Sequence, residues 1–255
     1  MTIAKITGLV PILQTPFDRK GRIDTEALRE LVNYNIDSGV DGLGIALASE
    51  VPLLTETERN ELLRIVVDET NSRVPVVMNT GGNGNELAVH YSRKAEELGA
   101  SAVMLTPPES KLTSRNPSAI KQYFQDVVLA VKTSIVIQDV EFAQVPPKMV
   151  ADLAKHHPAI VACKMETPPT ANRIADTVNA VNGDIEVLGG GGATYLIEEL
   201  ARGSKGTMPF SSTPAEFAKV LALHKKGEVD LARKIFKERI SPLCHLVSQS
   251  PTIAI

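Results

Sequence analysis

The chain has 255 residues, a net charge of −3 from 27 basic and 30 acidic residues, 43% apolar and 22% charged side chains, and two cysteines. Such a balance, with both charge signs mixed along the chain, excludes a disordered chain, a polyanion-binding surface and a disulfide framework. Gly8 and Pro11 interrupt the apolar run after Lys5, and no run reaches ~18 apolar residues, so neither a signal peptide nor a membrane span is expected and the cytoplasm is the expected location.

Short apolar runs alternate with amphipathic segments of helix length. Residues 8–13 read as a first strand, left through Thr15-Pro16-Phe17. Asp24 caps a helix over 25–38, with Ala27, Leu28, Leu31, Val32 and Ile36 at helical spacing. Strands are expected at 42–46, 74–78, 102–105, 135–137, 160–166, 186–188 and 206–208. A capping-box pattern, Thr55 to Glu58, starts the helix that ends near Asn71. Further helices are expected over 86–98, 117–131, 147–156, 170–181, from the glycine run 189–192 through 200, from a Thr213 cap to 226, and over 229–247. Eight strand-then-helix units in about 250 residues predict an α/β fold, a (β/α)8 TIM barrel with a short C-terminal helical extension. An open doubly wound sheet is the alternative, but residues 13–17 lack its glycine fingerprint. The barrel is assigned to residues 1–228 and the C-terminal helix to 229–255.

Active sites of such barrels lie at the carboxyl ends of the strands. Thr15, Ser49, Glu50, Asn79, Thr106, Gln138, Asp139, Lys164, Glu166, the glycines 189–192 and Phe210 fall there. The five histidines fall on helices or their ends, which argues against a His-ligated metal and a Ser-His-Asp triad. Glu50, Asp139 and Glu166 could together bind a divalent ion, but Glu50 and Asp139 read in preference as amide caps or loop braces, so no metal and no cofactor are expected. The glycine run could receive an anion on its amides or simply give turning room.

Lys164 closes the buried run Ile160-Val161-Ala162-Cys163, and Glu166 follows two places on. Period-two spacing points both side chains the same way if the strand runs as far as Glu166. A lysine beside a carboxylate at the end of a buried strand reads as a Schiff-base nucleophile with a proton acceptor, or as an ion pair closing the strand.

These features, with Thr15-Pro16-Phe17, Gly21, Ile23-Asp24, Gly39 to Gly42, Ser49-Glu50, Leu54-Thr55, Glu58 and Gly203 to Gly206, resemble the dihydrodipicolinate synthase / N-acetylneuraminate lyase superfamily over essentially the whole chain. The resemblance implies a class I lyase with its imine on Lys164, a small-molecule 2-keto acid substrate, no nucleic-acid or membrane partner, and a homotetramer built as a dimer of dimers. It also implies substrate contacts at Thr15, Ala48, Ser49, Glu50, Gly190, Gly191 and Phe210.

The departures narrow it. Where the superfamily carries a Gly-(Thr/Ser)-Thr-Gly-Glu loop, residues 46–50 read Ala-Leu-Ala-Ser-Glu, leaving amides near Ala48 and Ser49 and the Ser49 hydroxyl to hold a carboxylate. Gln138 stands in place of the relay tyrosine. Thr106-Pro107-Pro108-Glu109 replaces a tyrosine-bearing loop, so each site is expected to be complete within one chain. Ala143 lies near the place of the arginine that dihydrodipicolinate synthases use on their second substrate. Gln138-Asp139, Lys164, Glu166 and Pro168-Pro169 resemble the L-2-keto-3-deoxyarabonate dehydratase branch, which implies Lys164, Glu166 and Gln138 as the catalytic set. The resemblance also implies a C-terminus shorter than is usual in the superfamily. Dehydration of a 2-keto-3-deoxy sugar acid is the leading expectation. Pyruvate-type aldol cleavage, a dihydrodipicolinate synthase-like condensation, and a catalytically inactive barrel used for binding or assembly are the alternatives.

Overall fold

The computed structural model describes residues 4–108 and 116–249, so Glu109 lies outside the described residues. Eight strands appear among them: β1 (Gly8–Leu9), β2 (Leu43–Ile45), β3 (Val76–Asn79), β4 (Ala102–Leu105), β5 (Ser134–Asp139), β6 (Ile160–Met165), β7 (Glu186–Leu188) and β8 (Gly206–Thr207). All pairings are parallel. β2 to β7 form one sheet in chain order, and β1 pairs with β8. Bridges from Ile12 to Gly44 and Phe210, and from Gly189 to Thr207, close both seams. The expected (β/α)8 barrel is the observed fold.

β1 is shorter than expected. Pro11 has no amide to donate, so regular pairing stops before it and only the Ile12 bridges continue. β5 is longer than expected and carries Gln138 and Asp139 inside the strand.

The helices are α1 (Thr25–Asp37), α2 (Glu56–Thr70), α3 (Asn85–Glu97), α4 (Pro117–Ala130), α5 (Pro147–His156), α6 (Thr170–Val181), α7 (Leu196–Leu200), α8 (Pro214–Lys225), α9 (Val229–Ile235) and α10 (Ser241–Gln249). Local chemistry sets their starts. Asp24 accepts the Ala27 amide at 3.1 Å, and Thr55 and Glu58 complete the capping box. The expected Thr213 cap is not made: its side chain bonds no helix amide and its hydroxyl is buried without a partner. After the glycine run the chain makes a 3-10 turn, Gly191–Ala193, before the short α7. The last expected helix is three pieces, α9, a π-helical turn Phe236–Ile240, and α10. Ala232, Phe236, Ile240 and Cys244 pack into the same core as the barrel helices.

Two apolar cores follow from strand alternation. Ile6, Val10, Ile12, Ala46, Val77, Ala102, Met104, Val136, Ala162, Leu188 and Met208 fill the barrel. Outward residues such as Met78, Ile137, Cys163 and Met165 pack under the helices. One irregularity matters. Ile135 pairs with Ile160, but Val136 pairs with Ala162, so Val161 is an extra residue in β6. Ile160 packs outward, whereas Val161 and Ala162 both face the inner core. This bulge resets the alternation, and the next inward residue is Lys164.

Candidate active site

The inner apolar residues are followed, two positions on, by the next inward residues at the carboxyl ends. Val77 leads to Asn79, Met104 to Thr106, Val136 to Gln138, Ala162 to Lys164 and Leu188 to Gly190. The barrel is therefore apolar inside and polar at one mouth. The register Gln138 to Lys164 sets those two residues side by side.

Lys164 is 5% exposed, and its Nζ lies 3.1 Å from Glu166 Oε1. The Gly191 amide donates to the same oxygen at 2.7 Å. Gln138 Nε2 donates to Glu166 Oε2 at 2.7 Å. Asn79 Nδ2 and the Thr106 hydroxyl donate to Gln138 Oε1, each at 3.0 Å. The Gly81 amide donates to Asn79 Oδ1 at 3.1 Å. Donors and acceptors alternate without conflict from Gly81 to Lys164. A carboxylate can only accept, so Gln138 must turn its NH2 towards Glu166. Gly190 leaves room for this carboxylate: a Cβ there would come within 2.5 Å of the Glu166 side chain.

The supporting shell is satisfied as well. Asp139 points outward and is fully buried. It takes both prongs of Arg173, at 3.0 and 2.8 Å, with the Val145 and Thr167 amides. It is a brace between β5, β6 and α6. Tyr123 lies behind Thr106 and donates to its carbonyl at 3.1 Å, so the phenol is committed to the backbone. Burial pushes its pKa up to about 12. Burial likewise pushes the Cys163 thiol up. Arg59 donates to the Asn79 carbonyl at 3.2 Å and stacks 4.0 Å over Tyr91. A cavity of about 250 Å³ opens beside the mouth, lined in part by Arg59, Asn79, Thr106, Tyr91 and Phe142.

The remaining expected residues divide. Ser49 is buried, donates its hydroxyl to the Leu13 carbonyl and accepts the Ala46 amide at 3.0 Å. Its own amide bonds Ala46 O at 2.9 Å. The Ser49 hydroxyl proton and amide are thus both committed to the fold. Thr15 is also committed, donating to the Ser49 carbonyl at 2.7 Å. Ala48 is the exposed residue of the 3-10 turn Leu47–Ser49. Glu50, with φ of 60°, joins that turn to the next, Val51–Leu53. Gly190 and Gly191 touch the Glu166 carboxylate directly. Phe210 is buried edge-to-face on Phe217, and a Cβ at Gly192 would lie 3.9 Å from it, so the ring supports the glycine turn. Sequence reading missed Arg59, Arg173 and Glu199. Glu199 had a signal, since it lies three residues after Leu196 on the buried face of α7.

A profile of the dihydrodipicolinate synthetase family matches residues 5–255. An L-2-keto-3-deoxyarabonate dehydratase of Azospirillum brasilense is 29% identical over 248 residues, 95% of this chain and 80% of that protein. A 4-hydroxy-tetrahydrodipicolinate synthase of Pelobacter propionicus is 30% identical over 234 residues, 89% and 79% of the two chains. The structure of dihydrodipicolinate synthase from Aquifex aeolicus superposes with a TM-score of 0.88 at 26% identity, over 95% of this chain and 83% of that one. Together with the eight-stranded barrel and its strand-six lysine, these likenesses show that the chain belongs to the dihydrodipicolinate synthetase family and is a lyase of the class I aldolase type.

Proposed function

We propose that the chain dehydrates a 2-keto-3-deoxy sugar acid through an imine on Lys164. The observation that carries this reading is the continuous hydrogen-bond chain Asn79–Gln138–Glu166–Lys164. Likeness to the Azospirillum brasilense dehydratase supports it. Lys164 attacks C2 of the keto acid as the neutral amine, and its proton passes to Glu166. Glu166 returns that proton to the carbinolamine hydroxyl, which leaves as water and gives the iminium, and the iminium withdraws electrons from C3. The Glu166 carboxylate then takes the C3 proton and passes it to the C4 hydroxyl, which leaves as water. Hydrolysis of the imine frees the product, so the sum is loss of one water. Gln138 does not titrate; it orients Glu166 and can hold a hydroxyl or a water. The substrate carboxylate falls to the first amides of the turn at Leu47 and Ala48, which lack intrahelical partners.

Condensation of the dihydrodipicolinate synthase kind is disfavoured. Ala143 is fully buried and pairs with Val140, so no cation stands there, and Arg173 is committed to Asp139. Cleavage of C3–C4 remains the second reading, because the same iminium accepts the electrons of either bond.

The test is reductive trapping. Pyruvate or a 2-keto-3-deoxy acid with borohydride should leave one adduct, on Lys164 in a peptide map, and Lys164→Ala should remove it. An adduct elsewhere, or none, sinks the reading. A panel of keto-deoxy acids then separates dehydration from cleavage by whether pyruvate is released. We also read the protein as a homo-oligomer, a tetramer as in the superfamily, working in the cytoplasm. Light scattering showing a fully active monomer would contradict that assembly. Among the described residues, no helix is long and apolar enough to cross a membrane.

A further inference from the structure

Glu199 is a buried carboxyl that this chemistry leaves unused. It sits on α7 and is 1% exposed. Its Oε1 accepts the Thr170 hydroxyl at 2.6 Å, at the first residue of α6. Its Oε2 is buried and has no partner. An ionised carboxylate left so is costly, whereas a neutral acid asks far less of its surroundings. The charged groups acting on it are both acidic: Glu166 from the end of β6, and Glu198 beside it on α7. From α6 it meets the Thr170 hydroxyl, and just after β7 it meets the backbone of Gly189. Burial first, then these carboxylates, push its pKa up to about 7, against the pull of the Thr170 hydroxyl.

Its position links it to the lysine. Glu199 Oε2 fills the space that a side chain at Gly189 would need, since a Cβ there would come within 1.9 Å of it. Gly189 opens the turn in which Gly190 packs on Glu166 and the Gly191 amide bonds Glu166 Oε1. Thr207, the bridge partner of Gly189, also has a buried hydroxyl without a partner.

We propose that Glu199 is a positioning residue for Lys164 chemistry: as a neutral acid it fills the gap behind Gly189 and keeps the glycine turn on Glu166, and its ionisation slows imine formation. The inference rests on the imine reading above. The slowing follows from charge. A second carboxylate behind Glu166 strengthens the hold on the Lys164 proton, and the amine must lose that proton to attack.

The experiment uses the full chain with pyruvate and cyanoborohydride from pH 6 to 9, following adduct formation on Lys164 by mass spectrometry. Wild type, Glu199→Gln and Glu199→Ala are compared. Glu199→Gln keeps the shape and cannot ionise. Its labelling rate should equal wild type at pH 6 and exceed it by about threefold or more at pH 8.5, as expected when one nearby negative charge is removed. Glu199→Ala should label slowly at every pH with its far-ultraviolet circular dichroism unchanged, and Glu199→Gln decides alone if the alanine variant does not fold. A Gln-to-wild-type ratio that stays flat with pH overturns the inference while leaving the imine intact. So does a glutamine variant that labels poorly at every pH, because that would mean the ionised form is needed. Wild type that takes no label at any pH overturns the imine reading itself.

Discussion

At the scale of the residue, Glu166 is the hinge of the site. It receives Lys164, the Gly191 amide and Gln138 on its two oxygens. Glu166→Gln keeps an oxygen for the lysine but loses the group that titrates. Turnover of the true substrate should fall by about 10²-fold or more, while reductive trapping on Lys164 survives. Near-normal turnover would make Glu166 only an ion-pair partner and remove the main support for dehydration. The pairing of Lys164 with Glu166 was legible because period-two spacing is a local property. The roles of Asn79 and Thr106 were not, since they act through the amide of Gln138 and depend on which strands are neighbours. The commitment of Ser49 was hidden for the same reason: its hydroxyl bonds Leu13, 36 residues away.

At the scale of the element, helix starts were legible where a side chain caps them, as at Asp24 and Thr55, and strand lengths were not. A cap such as Asp24 or Thr55 lies within three residues of the amide it satisfies. A strand ends where its neighbour ceases to pair, which no local pattern states. The bulge at Val161 is of this kind, and without it the alternation begun at Ile160 would turn Lys164 out towards the helices. The β1–β8 seam has a similar hidden demand. Gly206 has φ of +154°, and a Cβ there would stand 1.9 Å from the carbonyl oxygen of Gly8. Backbone would have to move, so Gly206→Ala should cost about 2 kcal/mol or more. In a domain of this size that lowers the melting temperature by roughly 4 °C or more. An unchanged melting temperature by circular dichroism would show that the seam yields without cost.

At the scale of the whole molecule, the barrel was legible from the repetition of strand and helix, because eight parallel crossovers in a chain of this length leave few ways to bury every strand. The outer core, shared by the barrel helices and the C-terminal pieces, supplies the stability on which Glu199 draws. That draw has a sign and a pH window. The folded pKa of Glu199 is raised from 4.5 to about 7. Below 4.5 the group is protonated in both states and costs nothing. Between 4.5 and 7 the unfolded chain releases the proton while the folded protein holds it, so stability falls as pH rises. Above 7 both states are ionised and the loss stays constant. The raised pKa corresponds to a loss on the order of 3 kcal/mol. Glu199→Gln does not titrate, so its melting temperature should separate upward from wild type between pH 5 and pH 7 and run parallel above it. The separation should be several degrees, at roughly 2–4 °C per kcal/mol. Parallel curves across the whole range would mean that Glu199 is ionised in the fold, and the buried oxygen would then need a donor that the described residues do not supply.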